Sequence, residues 1–260
     1  MKSSPQLVSV QALVLGRVDY AEADVIVSLF TDQLGKLSAL ARGARRSKKR
    51  FIGALEPLHT LQVELNERPR GELFTLHAAS LSKPRTAILQ QLSALSAAGT
   101  ALSWVKKSAP EHQPEPQLWR ALCECLDNLG QSPPREKASA SAVSAVPASN
   151  LSENILGAFG LRLLSILGWQ LNWTSCVVCN KPCPPEQSAQ LTPERGGLIC
   201  QGCGGGALHI TAEARRELHA IGFGAPGPLS PRWAALAADI VERALSAHLG
   251  LQQRTAKGLG

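Results

Sequence analysis

Two Cys-x-x-Cys pairs, Cys176-Val-Val-Cys179 and Cys200-Gln-Gly-Cys203, stand twenty residues apart and limit what the last third of this chain can become. Two residues between cysteines let both sulfurs face one ion while backbone N–H groups turn toward the thiolates. Two such knuckles supply the four-thiolate tetrahedron that zinc prefers, at about 2.3 Å per bond. The spacing sits at the edge of the usual zinc-ribbon range. With every position filled by sulfur, no place remains for water or substrate, so the expected Zn2+ on Cys176, Cys179, Cys200 and Cys203 is structural. Cys183 is an alternative fourth ligand, and either pair alone also fits a thioredoxin-like redox motif. Two converging pairs without a βαβ frame favour the metal.

The N-terminal part carries a different signal. Six of the nine residues from Arg42 to Arg50 are Arg or Lys, and none is acidic. Strand-like segments flank this run: Leu7–Val14, Val25–Phe30, Lys36–Ala41, Leu58–Leu65 and Glu72–Ala78, several alternating apolar and polar residues. Turn chemistry fills the gaps: Gly16 to Ala23, Thr31 to Gly35, the basic run, and Asn66 to Gly71. Five short strands suit a small barrel of the OB type, which binds oligonucleotides across one face and its loops. An SH3-like barrel is the nearest competitor. A net charge of +7 agrees with an anionic partner. A solvated basic turn with no partner is the bland alternative for the run.

After Pro84 the period becomes helical. Ile88, Leu89, Leu92, Leu95, Ala98 and Leu102 form one stripe from Thr86 to Lys107, and a second helix is expected from Pro116 to Leu129. Residues 131–149 are rich in Pro, Ser and Ala, too poor in large apolar groups to offset the entropy of ordering, so a disordered linker is expected. Leu151 to Leu167 resumes as an apolar helix with Asn150 or Ser152 as cap. Thr211 caps a helix to Ile221, with Glu213 and Glu217 facing Arg215 and Arg216. A last helix runs from Pro231 to Leu249, with Gly250 as its stop. The fold class is α+β: a barrel domain over 1–81, a helical domain over 82–174 plus 207–260, and a zinc element over 175–206.

Several patterns point nowhere. Gly222-Phe-Gly224-Ala-Pro-Gly227 matches a dinucleotide fingerprint by letter, but it follows a helix, and its prolines would break the helix that should receive the phosphates. The six histidines are scattered, and no Gly-x-Ser-x-Gly elbow exists. Asp19, Glu22 and Asp24 share one expected loop but lack the support of a nuclease metal site. No enzyme is expected. No run of about 18 apolar residues suggests a membrane span, the N-terminus lacks an apolar signal region, and the cysteine usage suits a reducing compartment. Cytoplasm is the expectation.

The order of these blocks resembles a known family. Gly16-Arg17, the Thr31 to Lys36 turn, Arg42-Gly-Ala-Arg45-Arg46 with Arg50-Phe51-x-Gly53-Ala54-Leu55-x-Pro57, and Leu191-x-Pro193-Glu194-x-Gly196-Gly197-Leu198-x-Cys200 resemble the bacterial DNA repair family RecO over essentially the full length. The resemblance implies an OB-fold, a helical domain and an embedded zinc element. It implies binding of single- and double-stranded DNA, annealing of complementary strands, and help in loading the RecA recombinase on DNA coated by single-stranded-DNA-binding protein. The partners implied are RecR, the C-terminal tail of the coating protein, and RecF. The location implied is the cytoplasm, at the nucleoid.

The residues expected at DNA phosphates are Arg42, Arg45, Arg46, Lys48, Lys49 and Arg50, with Arg17, Lys36, Arg68 and Arg70 as outlying contributors. The aromatic residues of this part are few (Tyr20, Phe30, Phe51, Phe74), and some must fill the barrel, so stacking is expected to contribute little. An RNA-binding accessory factor of ribosome or translation is the alternative function, and a protein–protein adaptor working through the helical body is another.

Overall fold

The computed structural model describes residues 7–47, 49–51, 53–66, 73–131, 148–225 and 229–250. Lys48, Arg68 and Arg70, and residues 132–147 of the expected linker, lie outside the described residues. The chain divides into two compact units, Met1–Gln131 and Ser132–Gly260.

In the first unit, five strands close into a barrel in the order β1-β2-β3-β5-β4. They are β1 (Leu7–Tyr20), β2 (Asp24–Thr31), β3 (Gly35–Ala41), β4 (Thr60–Asn66) and β5 (Leu73–Lys83). All neighbours pair antiparallel except β3 and β5, which run parallel from Ser38↔Leu73 to Ala41↔Leu76. That closure is the OB arrangement. The alternation read from sequence is the physical cause. Val10, Ala12, Val14, Val25, Val27, Leu29, Leu37, Ala39, Leu61, Val63 and Leu65 all point into one buried core.

β1 runs further than its sequence suggested. Gly16 does not break it; a bulge between Val14 and Gly16 shifts the register, and pairing with β2 continues to Tyr20↔Asp24. The β2–β3 turn is fixed by Thr31, whose hydroxyl accepts from Leu34 N–H and donates to the Gly35 carbonyl, both at 2.9 Å. Gly35 has φ +70°, and a Cβ there would collide with the Gln113 backbone, so only glycine fits.

Two helices complete the unit, α1 (Leu92–Ser108) and α2 (Pro116–Gln131). The expected single helix from Thr86 is interrupted. Residues 86–90 form a 3-10 turn, and Gln91 is extended at φ −132° and ψ 117° before α1 begins. This resets the helical phase. The buried face of α1 becomes Ala94, Ala97, Ala98, Ala101, Leu102, Trp104 and Val105, while Leu89, Leu92 and Leu95 are exposed. α2 buries Leu118, Trp119, Leu122, Cys125, Leu126 and Leu129 at helical spacing. Trp119 packs against Phe30, ring centroids 5.9 Å apart. Burial pushes the Cys125 thiol up to about 12, as suits a small apolar filler.

Arg85 bolts these pieces together. Only 5% exposed, it donates to the Leu58 carbonyl and Thr60 Oγ1 on the barrel side, and to Asp127 Oδ1 of α2 at 2.8 Å. Lys83 reaches the other Asp127 oxygen at 2.7 Å.

The second unit holds α3 (Ala148–Ile166), α4 (Ala212–Gly222) and α5 (Ala234–His248). A four-stranded sheet lies between α3 and α4 in the chain: β6 (Asn172–Cys176), β7 (Ala189–Thr192), β8 (Gly197–Leu198) and β9 (Leu208–Ile210), in the order β6-β8-β7-β9. A Cβ on Gly157 would sit 3.0 Å from Ala237 Cβ, which shows how closely α3 and α5 approach. Thr211 caps α4 as expected, its Oγ1 accepting from Ala214 N–H at 3.2 Å. The pairing expected of Glu213 and Glu217 with Arg215 and Arg216 is corrected. Glu213 meets Arg232, and Glu217 accepts from Ser230 N–H and Oγ, because the loop before α5 folds back onto α4.

Candidate nucleic-acid interface and metal centre

The basic loop is a built structure. Gly43 N–H donates to Asp24 Oδ1 at 2.8 Å, and Arg45 N–H donates to the Ala23 carbonyl at 3.1 Å. Arg50 Nη2 reaches back to the Arg42 carbonyl at 2.7 Å, and its guanidinium lies over the Phe51 ring at 5.1 Å. The loop is therefore tied to the β1–β2 hairpin tip, and Phe51 plugs the barrel core from beneath.

Arg17, Asp19, Val25, Ala44, Arg45, Phe51, Leu55 and Glu56 line a cleft of about 270 Å³ at this mouth of the barrel. Its charges are mixed. Arg17 pairs with Glu56 at 2.5 Å, Arg45 with Asp19 at 3.8 Å, and Arg46 with Glu22 at 3.5 Å. These pairs are solvent-exposed, so each is worth little and is readily exchanged for a stronger anion. Asp24 is occupied by Gly43 and Glu22 by Arg46. The three acids of the β1–β2 tip thus organise the loop.

The expected phosphate contacts do not all lie together. Arg42, Arg45, Arg46, Lys49 and Arg50 are exposed on the loop, and Arg17 faces the same cleft. Lys36 is set apart at the opposite end of β3. Its side chain is 13% exposed, and its ammonium donates to the Lys106 carbonyl at 2.9 Å and pairs with Glu111 at 3.3 Å. The acid partners of the arginines were invisible to sequence reasoning, because Asp19, Glu22 and Glu56 reach the loop only through strand pairing and the return of the chain after Gly53.

In the second unit the four expected cysteines converge. The sulfurs of Cys176, Cys179, Cys200 and Cys203 all lie within 4.8 Å of one another, and Cys179 Sγ is 3.7 Å from Cys200 Sγ. A tetrahedron with bonds of about 2.3 Å has edges of about 3.8 Å, so the set has the dimensions of a four-thiolate metal shell. β6 ends on Cys176, β8 leads into Cys200, and a 3-10 turn carries Cys203. The parallel pairing of β6 with β8 is what brings the two knuckles together. Cys200 N–H points at Cys176 Sγ, 3.4 Å away. This backbone hydrogen bond, with others from the 178–179 turn, holds the Cys176 thiol down at about 6. Hydrogen bonds from Cys200 and Cys179 push Cys203 up to about 12. Thiols crowded in this way ionise together only around a cation.

Cys183 lies outside that set. Its sulfur accepts from Arg215 Nη1 at 3.2 Å. Arg215, 3% exposed, also donates to the carbonyls of Trp173, Cys183, Pro184 and Gln187. One guanidinium from α4 thus gathers the hairpin that follows the first knuckle. The sequence pattern sets this arginine facing Glu213 and Glu217 on its own helix; its burial is a tertiary effect without a local signal.

Comparison with known proteins agrees with both halves. The family model described as Recombination protein O N terminal matches residues 4–85, and Recombination protein O C terminal matches residues 89–257. The chain belongs to the recombination protein O family. Relatives named DNA repair protein RecO share its length. That of Geobacter sulfurreducens is 34% identical over 92% of this chain and 91% of its own. That of Myxococcus xanthus is 33% identical over the same shares. That of Anaeromyxobacter sp. (strain Fw109-5) is 32% identical over 92% of this chain and 90% of its own. Membership carries a role in DNA repair. No helix among the described residues is long and apolar enough to cross a membrane.

Proposed function

We propose that this protein binds single- and double-stranded DNA through Arg42, Arg45, Arg46, Lys48, Lys49, Arg50 and Arg17, and anneals complementary strands without covalent chemistry. Lys36, tied to Glu111 and the Lys106 carbonyl, contributes at the margin. In this reading the barrel of residues 1–81 is the nucleic-acid domain, α1 and α2 complete its unit, and the 175–206 element shares the second unit with α3–α5. The protein helps a RecA-type recombinase onto DNA coated by single-stranded-DNA-binding protein, with RecR, RecF and the coating protein's C-terminal tail as partners in the cytoplasm. Zn2+ is the ion at the four cysteines, held for structure: thiolates are soft donors, and a complete sulfur shell leaves no open coordination position.

The observation that carries the reading is the loop itself, fastened at the mouth of an OB barrel with its cationic ends outward in a chain from a DNA repair family. Neutralising two backbones lets complementary strands approach, and phosphate contacts position them without selecting bases. If all six charges of the 42–50 run engage, the log–log salt slope is about −4 on single strands and about −5 on duplex. Replacing Arg42, Arg45, Arg46 and Lys49 with alanine is expected to shrink the single-strand slope to about −1.5. Fluorescence anisotropy across a salt series checks this. Unchanged affinity and slope in that variant would defeat the assignment.

The acid partners give a second prediction of opposite sign. Incoming phosphates must displace Glu56, Asp19 and Glu22, so E56Q and E22Q are expected to tighten DNA binding by about 1.5- to 5-fold each, the worth of an exposed pair. The gain should fade in high salt. Weaker binding in both variants would mean that the acids only hold the loop in shape.

A further inference from the structure

Residues 1–81 contain four Phe, Tyr or Trp residues, and three are spent on packing. Phe30 is fully buried against Trp119, Phe51 fills the core under the basic loop, and Phe74 packs on that core and stacks with His112, centroids 5.8 Å apart. Tyr20 is different. It is 53% exposed, and among the described residues no other ring touches it. The register explains why. Arg17 and Asp19 lie opposite Val27 and Val25, which face the barrel interior, whereas Val18 and Tyr20 lie opposite Ile26 and Asp24 on the outer face. Val18 is 66% exposed, so two unburied apolar side chains stand about 6.8 Å apart along one strand.

Tyr20 stands at the β1–β2 tip to which the basic loop is tied, on the face away from Arg17 and the cleft. Its cross-strand partner Asp24 accepts from Gly43 N–H, and the next turn holds Arg45 and Arg46 through Ala23 and Glu22. A strand held at these arginines by its phosphates meets that exposed ring where it continues over the hairpin tip. We propose that Tyr20 is a stacking platform for an unpaired nucleobase, giving the site a preference for single strands. This rests on the loop being the phosphate-binding element. An unpaired base has a free face to offer, whereas a duplex base already shares both of its own.

The test compares full-length Y20A, Y20L and Y20F with the parent protein on three fluorescein-labelled probes: an oligothymidylate, an abasic strand with equal phosphates, and a duplex. Y20A and Y20L are expected to bind oligothymidylate about 5- to 150-fold more weakly, the range for one stacked base. Y20F should stay within about 2-fold, and the salt slope should not change, because no phosphate contact is lost. The abasic strand and the duplex should bind all four proteins alike. Y20L, bulky but without an aromatic face, binding oligothymidylate as the parent does would overturn the proposal, as would an equal loss on the abasic strand. Failure of the underlying reading would look different: a salt slope near zero for the parent protein on every probe.

Discussion

Stripping the zinc proposed at Cys176, Cys179, Cys200 and Cys203 is expected to unfold the β6–β9 sheet while the barrel stays intact. Four-thiolate coordination contributes on the order of 10–16 kcal/mol to the folding of such elements, as much as a whole small domain retains as net stability. The sheet has little else. β8 spans two residues and β9 three, and the described strands bury only a few large side chains. Collapse would not stop at the knuckles. Arg215 would lose the carbonyls of Trp173, Cys183, Pro184 and Gln187 and leave a buried guanidinium without acceptors, so α4 should loosen as well. Hydrogen exchange on the chelator-treated protein is the measurement, with protection lost over residues 172–222 and kept over β1–β5. C200S should reproduce the pattern. Acid should act in the same direction, since protons compete with the metal for thiolates. Full protection after chelation, with no zinc released, would refute the metal assignment.

Removing Asp127 is expected to cost about 1–3 kcal/mol, the penalty for leaving the buried Arg85 guanidinium short of an acceptor. Arg85 has a side chain only 3% exposed, and Asp127 is the carboxylate that balances it. D127A therefore strands a cation between β4 and α2. A charge-neutral R85M/D127L pair should recover much of the loss, because well-packed apolar groups replace buried pairs at little cost. Burial works to raise the Asp127 carboxyl, but hydrogen bonds from Lys83 and Arg85 and their charges outweigh it and set the pKa below the ordinary value. The stabilisation is thus fully present above about pH 3.9, where the unfolded carboxyl ionises, and is lost as pH falls through the lower folded value. Denaturant melts at neutral and acid pH, on wild type and D127N, check the sign. A D127N protein with the wild type's acid sensitivity would contradict it.

Much of this architecture was legible in the chain because the barrel strands alternate and each must bury one face. Strand boundaries were less so. Nothing in the composition of β1 announces that pairing resumes after the Val14–Gly16 bulge, since the evidence for it lies in β2. The leucine stripe of 88–102 misled for a different reason. An extended Gln91 rotates everything after it, and a run of alanines proved the better packing surface. The cysteine site was readable because its chemistry fixes both residue type and spacing. The acids opposing Arg17, Arg45 and Arg46, and the burial of Arg215, were not readable, because partners 20 or more residues away meet only after the strands have paired.

The closure of the amino-terminal sheet on itself has a consequence for assembly. With β1 bonded to both β2 and β4, every described strand has a strand on each side over part of its length. Among the described residues, strand addition is left only the strand ends, such as β5 beyond Leu76, where β3 no longer pairs. A partner that docks where the strands are paired on both sides must grip side chains, which one-residue changes can retune without disturbing the scaffold beneath.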